Sequence, residues 1–157
     1  MKTLIIYYSA YRNNTEKIAR AFANKINSDL VNLKELQKVN IDDYHLIGFG
    51  SGIYRESMSQ KIFDYVERLD LKGKNVFVFS TSGVGMKFYN KKLINLLESK
   101  GAICKGSFAC KGSFQSRDFS NNRIFEFLSK FSEDHPNKDD LHKAEKFIEK
   151  LIGRETE

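Results

Sequence analysis

The chain has 157 residues, 41% of them hydrophobic and 29% charged, which suits one globular domain and excludes a disordered segment. Its apolar runs fall far short of the roughly 18 residues that a membrane-spanning helix needs. The formal net charge is +6, but the lysines are dispersed over different predicted elements with no stripe of interleaved aromatics, so no nucleic-acid surface is expected.

The first apolar run, Leu4 to Tyr8, is short and β-rich and reads as a buried strand. It is too short for a secretory signal, so the expected location is the cytoplasm. A helix follows, with Ile18, Ala19, Phe22, Ala23 and Ile26 on one face. A weak strand over residues 30–33 precedes a clear one over residues 44–50. Helical spacing returns between Met58 and Leu69, in Ile62, Phe63, Val66 and Leu69. Residues 76–80 form the third clear strand, and a helix carrying Phe88, Leu93, Leu96 and Leu97 ends at Lys100-Gly101.

Residues 102–110 read as a strand with Cys104, Gly106, Phe108 and Cys110 on one side and Lys105, Ser107 and Ala109 on the other. At roughly 3.3 Å per residue its two cysteines stand about 20 Å apart, so both are expected to be reduced thiols. The scattered histidines, His45, His135 and His142, have no metal-ligand spacing, and no metal is expected. Residues 111–135 are the least regular, with one short helical run over residues 124–128. Pro136-Asn137 opens the last helix: Asn137 suits the N-cap, Asp139 and Asp140 suit the positive end of the dipole, and Leu141, Ala144, Ile148 and Leu151 form its buried stripe.

Almost wholly apolar strands alternating with helices imply a parallel sheet covered on both faces. The expected fold is therefore α/β, a three-layer, doubly wound, five-stranded parallel sheet in one domain over residues 1–157.

In such a sheet, ligands sit beyond the carboxyl ends of the strands. After the first strand comes Ser9-Ala10-Tyr11-Arg12-Asn13-Asn14-Thr15, leading directly into a helix. Hydroxyls, amides and free N–H groups at a helix start suit a phosphate, while Asn14 or Thr15 could equally serve as a plain helix cap. The loop is neither a Walker A loop nor a G-x-G-x-x-G turn, because no glycine occurs before Gly48. After the second clear strand come Ser51, Gly52, Ile53 and Tyr54, where glycine permits close approach to a flat ring and tyrosine can stack on it. After the third come Thr81, Ser82, Gly83, Val84 and Gly85, again small and hydroxyl-bearing.

These three loops are where the chain resembles the flavodoxin family. The run Ile5 to Ser9 and on to Asn14-Thr15-Glu16-Lys17-Ile18-Ala19 is similar to the family's phosphate signature for flavin mononucleotide (FMN). Gly50-Ser51-Gly52-Ile53-Tyr54 and Thr81-Ser82-Gly83 match the loops flanking the isoalloxazine ring, and His135-Pro136-Asn137 with Asp140-Leu141 is similar to the opening of the last helix. The resemblance implies strand order 2-1-3-4-5 with FMN at the switch point. It assigns Ser9 through Thr15 to the phosphate, Ser51 to Tyr54 to one side of the ring and Thr81 to Gly85 to the other. The phosphate loop is one residue longer than the commonest family form, and Asn13 replaces its usual glycine; asparagine tolerates the left-handed region.

The resemblance further implies electron transfer to a protein partner, by a monomer or weak dimer. The basic charge departs from the acidic carriers of the family and implies a different partner. An FMN-dependent oxidoreductase of the quinone reductase or protoporphyrinogen oxidase type is the alternative, with Phe114, Phe119, Phe125, Phe127 and Phe131 as its apolar approach. A non-redox signalling module on the same fold stands third.

Overall fold

The computed structural model describes residues 1–10, 12–35, 38–113 and 134–155. Along them run β1 (Thr3–Tyr8), α1 (Asn14–Ile26), β2 (Asp29–Asn32), β3 (Leu46–Tyr54), β4 (Ser57–Met58) and α2 (Gln60–Glu67). Then follow β5 (Asn75–Ser82), a 3-10 turn (Lys87–Asn90), α3 (Lys91–Ser99), β6 (Ile103–Lys111) and α4 (Lys138–Glu155). The strands pair in the order β2-β1-β3-β5-β6, all parallel, with the two-residue β4 antiparallel to β3. Setting β4 aside, this is the expected doubly wound order.

Strand alternation divides the core in two. Leu4, Ile6, Val76 and Val78 pack with Ile62, Phe63 and Val66 of α2 and with Leu93 and Leu97 of α3. Ile5, Tyr7, Phe77 and Phe79 face the other way, onto Ile18, Ala19, Phe22 and Ala23 of α1 and Ala144, Ile148 and Leu151 of α4. Phe22 is fully buried at the centre of this second layer, edge-on to Phe77, Phe79 and Phe108 at centroid distances of 5.6, 5.1 and 5.6 Å. The rings of Phe77 and Phe79 lie over Gly48 and Gly50 of β3; a Cβ at Gly50 would stand 2.1 Å from Phe79 Cζ.

The end of α3 matches its sequence signal. Gly101 takes φ 84°, and the Ala102 N–H bonds Leu97 O at 3.1 Å. So does the start of α4, where the Asp140 N–H donates to Asn137 Oδ1 (3.0 Å) and the Asn137 N–H donates to Asp140 Oδ2 (2.9 Å).

Four local expectations are corrected. Residues 51–54, expected as loop, belong to β3, because Ser51 and Gly52 pair with Ser80 and Thr81 of β5. The strand then turns through Arg55 and Glu56, both at positive φ (49° and 66°), into β4, so Met58 leaves the predicted helix. Helix α2 starts instead behind Ser59, whose Oγ accepts from the Lys61 N–H at 3.2 Å.

Phe88 does not join the buried face of α3; it lies in the 3-10 turn and is 70% exposed. In β6 the register jumps from Val76↔Cys104 to Phe77↔Gly106, so a bulge at Lys105 breaks the alternation. Cys104 therefore packs against the α2–α3 layer, while Phe108 and Cys110 face α1 and α4. Both cysteines are free thiols. The helical run over residues 124–128 and the five phenylalanines from Phe114 to Phe131 lie outside the described residues.

Candidate functional site

The carboxyl ends of β1, β3, β5 and β6 meet at one edge of the sheet, where Tyr8, Ser51, Ser80 and Ala109 stand in register. The loop after β1 reaches α1 through Arg12 (φ 47°) and Asn13 (φ 55°), both left-handed. Asn13 thus holds the position and conformation expected for the missing glycine, and Arg12 shares that conformation. Asn13 is the N-cap, but no side chain caps the helix, and the helical ladder begins with the Lys17 N–H on Asn13 O at 2.9 Å. The N–H groups of Asn14, Thr15 and Glu16 therefore have no carbonyl within the helix. A left-handed residue followed by helical ones turns successive N–H groups to one side, a concave cradle for an anion at the positive end of the helix dipole.

Ser9 lines the same loop. It is 2% exposed, and its hydroxyl has no hydrogen-bond partner among the described residues. Buried hydroxyls are normally paired, so an orphan beside a row of N–H donors marks a place for an acceptor. Glu16, the one acid in the first turn of α1, is held by Arg20 at 2.7 Å.

The capping role open to Asn14 and Thr15 is not the one their side chains take. Asn14 Nδ2 donates to Ser113 O at 2.7 Å, and Ser113 Oγ donates back to Asn14 Oδ1 at 3.3 Å. Gly112 leaves room for this; a Cβ there would lie 2.8 Å from Asn14 Nδ2. Thr15 Oγ1 and Thr81 Oγ1 share one hydrogen bond of 2.9 Å. Two hydroxyls carry two protons and the bond between them uses one, so the pair keeps a donor for a ligand.

Ser51 is fully buried, and its Oγ donates to Gly52 O (2.7 Å) and accepts from the Ser59 N–H (3.0 Å). It ties β3 to the start of α2. Tyr54 bends back over Gly52, where a Cβ would stand 2.6 Å from its Oη, and meets Tyr8 edge-on at 6.5 Å. Its Oη accepts from the Ala10 N–H at 2.9 Å. Burial pushes its pKa up, against a smaller pull from the Ala10 bond. The hydroxyl therefore stays protonated and retains its own proton for an acceptor. Ile53 sits half-buried between Gly52 and Tyr54.

In the third loop, Ser82 Oγ accepts from the Gly85 N–H (2.7 Å), and Ser82 O accepts from the Gly112 N–H (2.9 Å). Gly85 (φ 67°) presses against β6 so closely that a Cβ would lie 2.9 Å from the Cys110 carbonyl carbon. Gly83 and Val84, half-buried, form the turn between these ties. Tyr11 lies outside the described residues.

Gly112 and Ser113 were not among the expected site residues, and His135 was read only as part of the entry to the last helix. The Ser113 N–H donates to His135 O (2.7 Å), and His135 Nδ1 pairs with Asp140, which links this fourth loop to the start of α4. The signal that finds Gly112 and Ser113 is the one used for the other loops, small residues just past a strand end. Among the described residues, no group of three His, Cys, Asp or Glu side chains is placed to hold a metal.

The flavodoxin domain family matches residues 4–149. A protein of Methanocaldococcus jannaschii described as uncharacterised is 36% identical over 154 residues, covering 97% of this chain and 99% of its own. A flavodoxin from the domain Archaea superposes with a TM-score of 0.71 at 12% identity, covering 99% of each chain. A flavoprotein from Lactobacillus acidophilus in complex with FMN has a TM-score of 0.58 at 20% identity, covering 68% of this chain and 91% of that one. At these identities the solved structures bear on the fold alone; the family rests on the match along the chain. The chain belongs to the flavodoxin family.

Proposed function

We propose that the chain binds FMN at the carboxyl edge of the sheet and transfers electrons through it to a partner protein in the cytoplasm. One observation carries the reading: the uncapped start of α1, with Arg12 and Asn13 left-handed, offers a row of N–H groups beside the buried, unpartnered Ser9 hydroxyl. That donor set fits a phosphate, which needs many acceptor sites satisfied at once. Tyr54, Gly52 and the Thr81–Gly85 turn would border the ring, and the spare protons of Tyr54 and the Thr15–Thr81 pair would meet its oxygens. The complex of the Lactobacillus acidophilus flavoprotein with FMN supports a flavin on this fold.

Bound FMN supplies the redox chemistry, and the protein supplies binding, orientation and a boundary against water.

The test is a fluorescence-quenching titration with FMN and with riboflavin, which lacks the phosphate. FMN should bind at least about 100-fold more tightly, since several charge-assisted hydrogen bonds depend on the phosphate. Equal affinities would overturn the phosphate assignment. Rapid NADH-driven quinone reduction by the loaded protein would replace the carrier with an enzyme.

A further inference from the structure

Among the described residues, large hydrophobic side chains stand exposed at Met1, Met86, Phe88 and Ile103. Two of these, Met86 at 51% and Phe88 at 70%, fall within three residues of the segment that leaves the third loop. Residues 83–97 contain Lys87, Lys91 and Lys92, all exposed, and no carboxylate. Phe88, Tyr89, Lys91 and Lys92 line an open groove of about 280 Å³ whose opposite wall is Glu56 and Ser57. Ser57 pairs with Tyr54 in the β3–β4 hairpin, and exposed Arg55 stands at its turn, so the groove and the candidate site share this hairpin.

An aromatic knob ringed by charge has the anatomy of a protein-binding hot spot. The cations Arg55, Lys87, Lys91 and Lys92 outweigh Glu56, so the complementary surface is acidic. A second copy docking here face to face would set lysines against lysines. Resting on the flavin reading, we propose that this face docks an acidic electron-carrier protein, with Phe88 at the centre of the contact. One electron passes from the reduced flavin to the partner's oxidised centre, and no bond is made or broken.

The test uses the full chain, labelled with ¹⁵N, and an acidic [2Fe–2S] ferredoxin as probe. Amide resonances of residues 86–92 should shift or broaden at low salt. The affinity should fall about tenfold or more between roughly 20 and 300 mM ionic strength. The double variant Lys87→Glu/Lys91→Glu should lose about tenfold at low salt, and Phe88→Ser should weaken binding at both salts. Salt-independent binding, shifts confined to other faces, tighter binding of a basic cytochrome, or equal binding of a DNA oligonucleotide would each overturn the proposal. Visible absorbance of retained FMN is read separately. Retention without docking would sink this face and leave the flavin site standing, whereas docking without retention would sink the flavin reading and, with it, the carrier.

Discussion

Replacing Asn14 separates a side chain that ties two loops from one that caps a helix. Its amide makes two hydrogen bonds with Ser113, and both residues are only 7% exposed. In Asn14→Ala the two bonds are lost and the Ser113 carbonyl stays buried without its donor, a cost of about 2–3 kcal/mol. Alanine's helix propensity returns about 0.5 kcal/mol, leaving a net loss of about 2 kcal/mol. For a chain of this size that lowers the melting temperature by roughly 4–8 °C. Asn14→Asp is the sharper variant. As a cap or a first-turn residue, aspartate would equal or improve on asparagine. As a tie it fails, because a carboxylate has no N–H for the Ser113 carbonyl and places negative charge against it. Urea denaturation of the wild type, Asn14→Ala and Asn14→Asp should therefore rank the aspartate variant with or below alanine. An aspartate variant as stable as the wild type would refute the tie.

Thr15→Val and Thr81→Val should each cost about 1–2 kcal/mol by leaving a buried hydroxyl unpaired, while the double variant costs less than their sum; a double-mutant cycle by denaturation measures the coupling. Gly50→Ala drives a methyl into the Phe79 ring, which Phe22 blocks from behind at 5.1 Å. It should cost about 1–3 kcal/mol, partly recovered on adding Phe79→Leu, as read from denaturation midpoints. Tyr44 Oη donates to Asp29 Oδ2 at 2.7 Å, and this bond, with burial behind it, raises its pKa to about 12. The folded value lies above the unfolded one near 10, so this contribution to stability is complete below about pH 10 and is lost as pH rises toward about 12. Ultraviolet titration of the tyrosines should show Asp29→Asn returning one group toward the ordinary range.

What was legible in the sequence was what short-range periodicity encodes. Leu4 to Tyr8, the stripe Ile18–Ala19–Phe22–Ala23 and the Asn137 cap each declare themselves within a few residues, and the α/β class follows from their alternation, whereas the strand order came from the family resemblance. The misreadings lie where distant partners decide. Ser51 and Gly52 look like loop until β5 pairs with them at Ser80 and Thr81. The bulge at Lys105 is set by registration against β5, which strand alternation alone does not contain. In the site, the loop was legible and its internal work was not. Asn14 is answered by Ser113, 99 residues on, and Thr15 by Thr81, 66 residues on. Only the folded sheet brings those ends together.

The most direct test of the flavin site is the visible absorption spectrum of the purified chain after FMN is added and the excess removed by gel filtration. A flavin spectrum co-eluting at about one FMN per chain is the predicted result. A colourless protein that retains the fold but no added FMN would contradict the account, and the left-handed Arg12–Asn13 turn would be the first place to look.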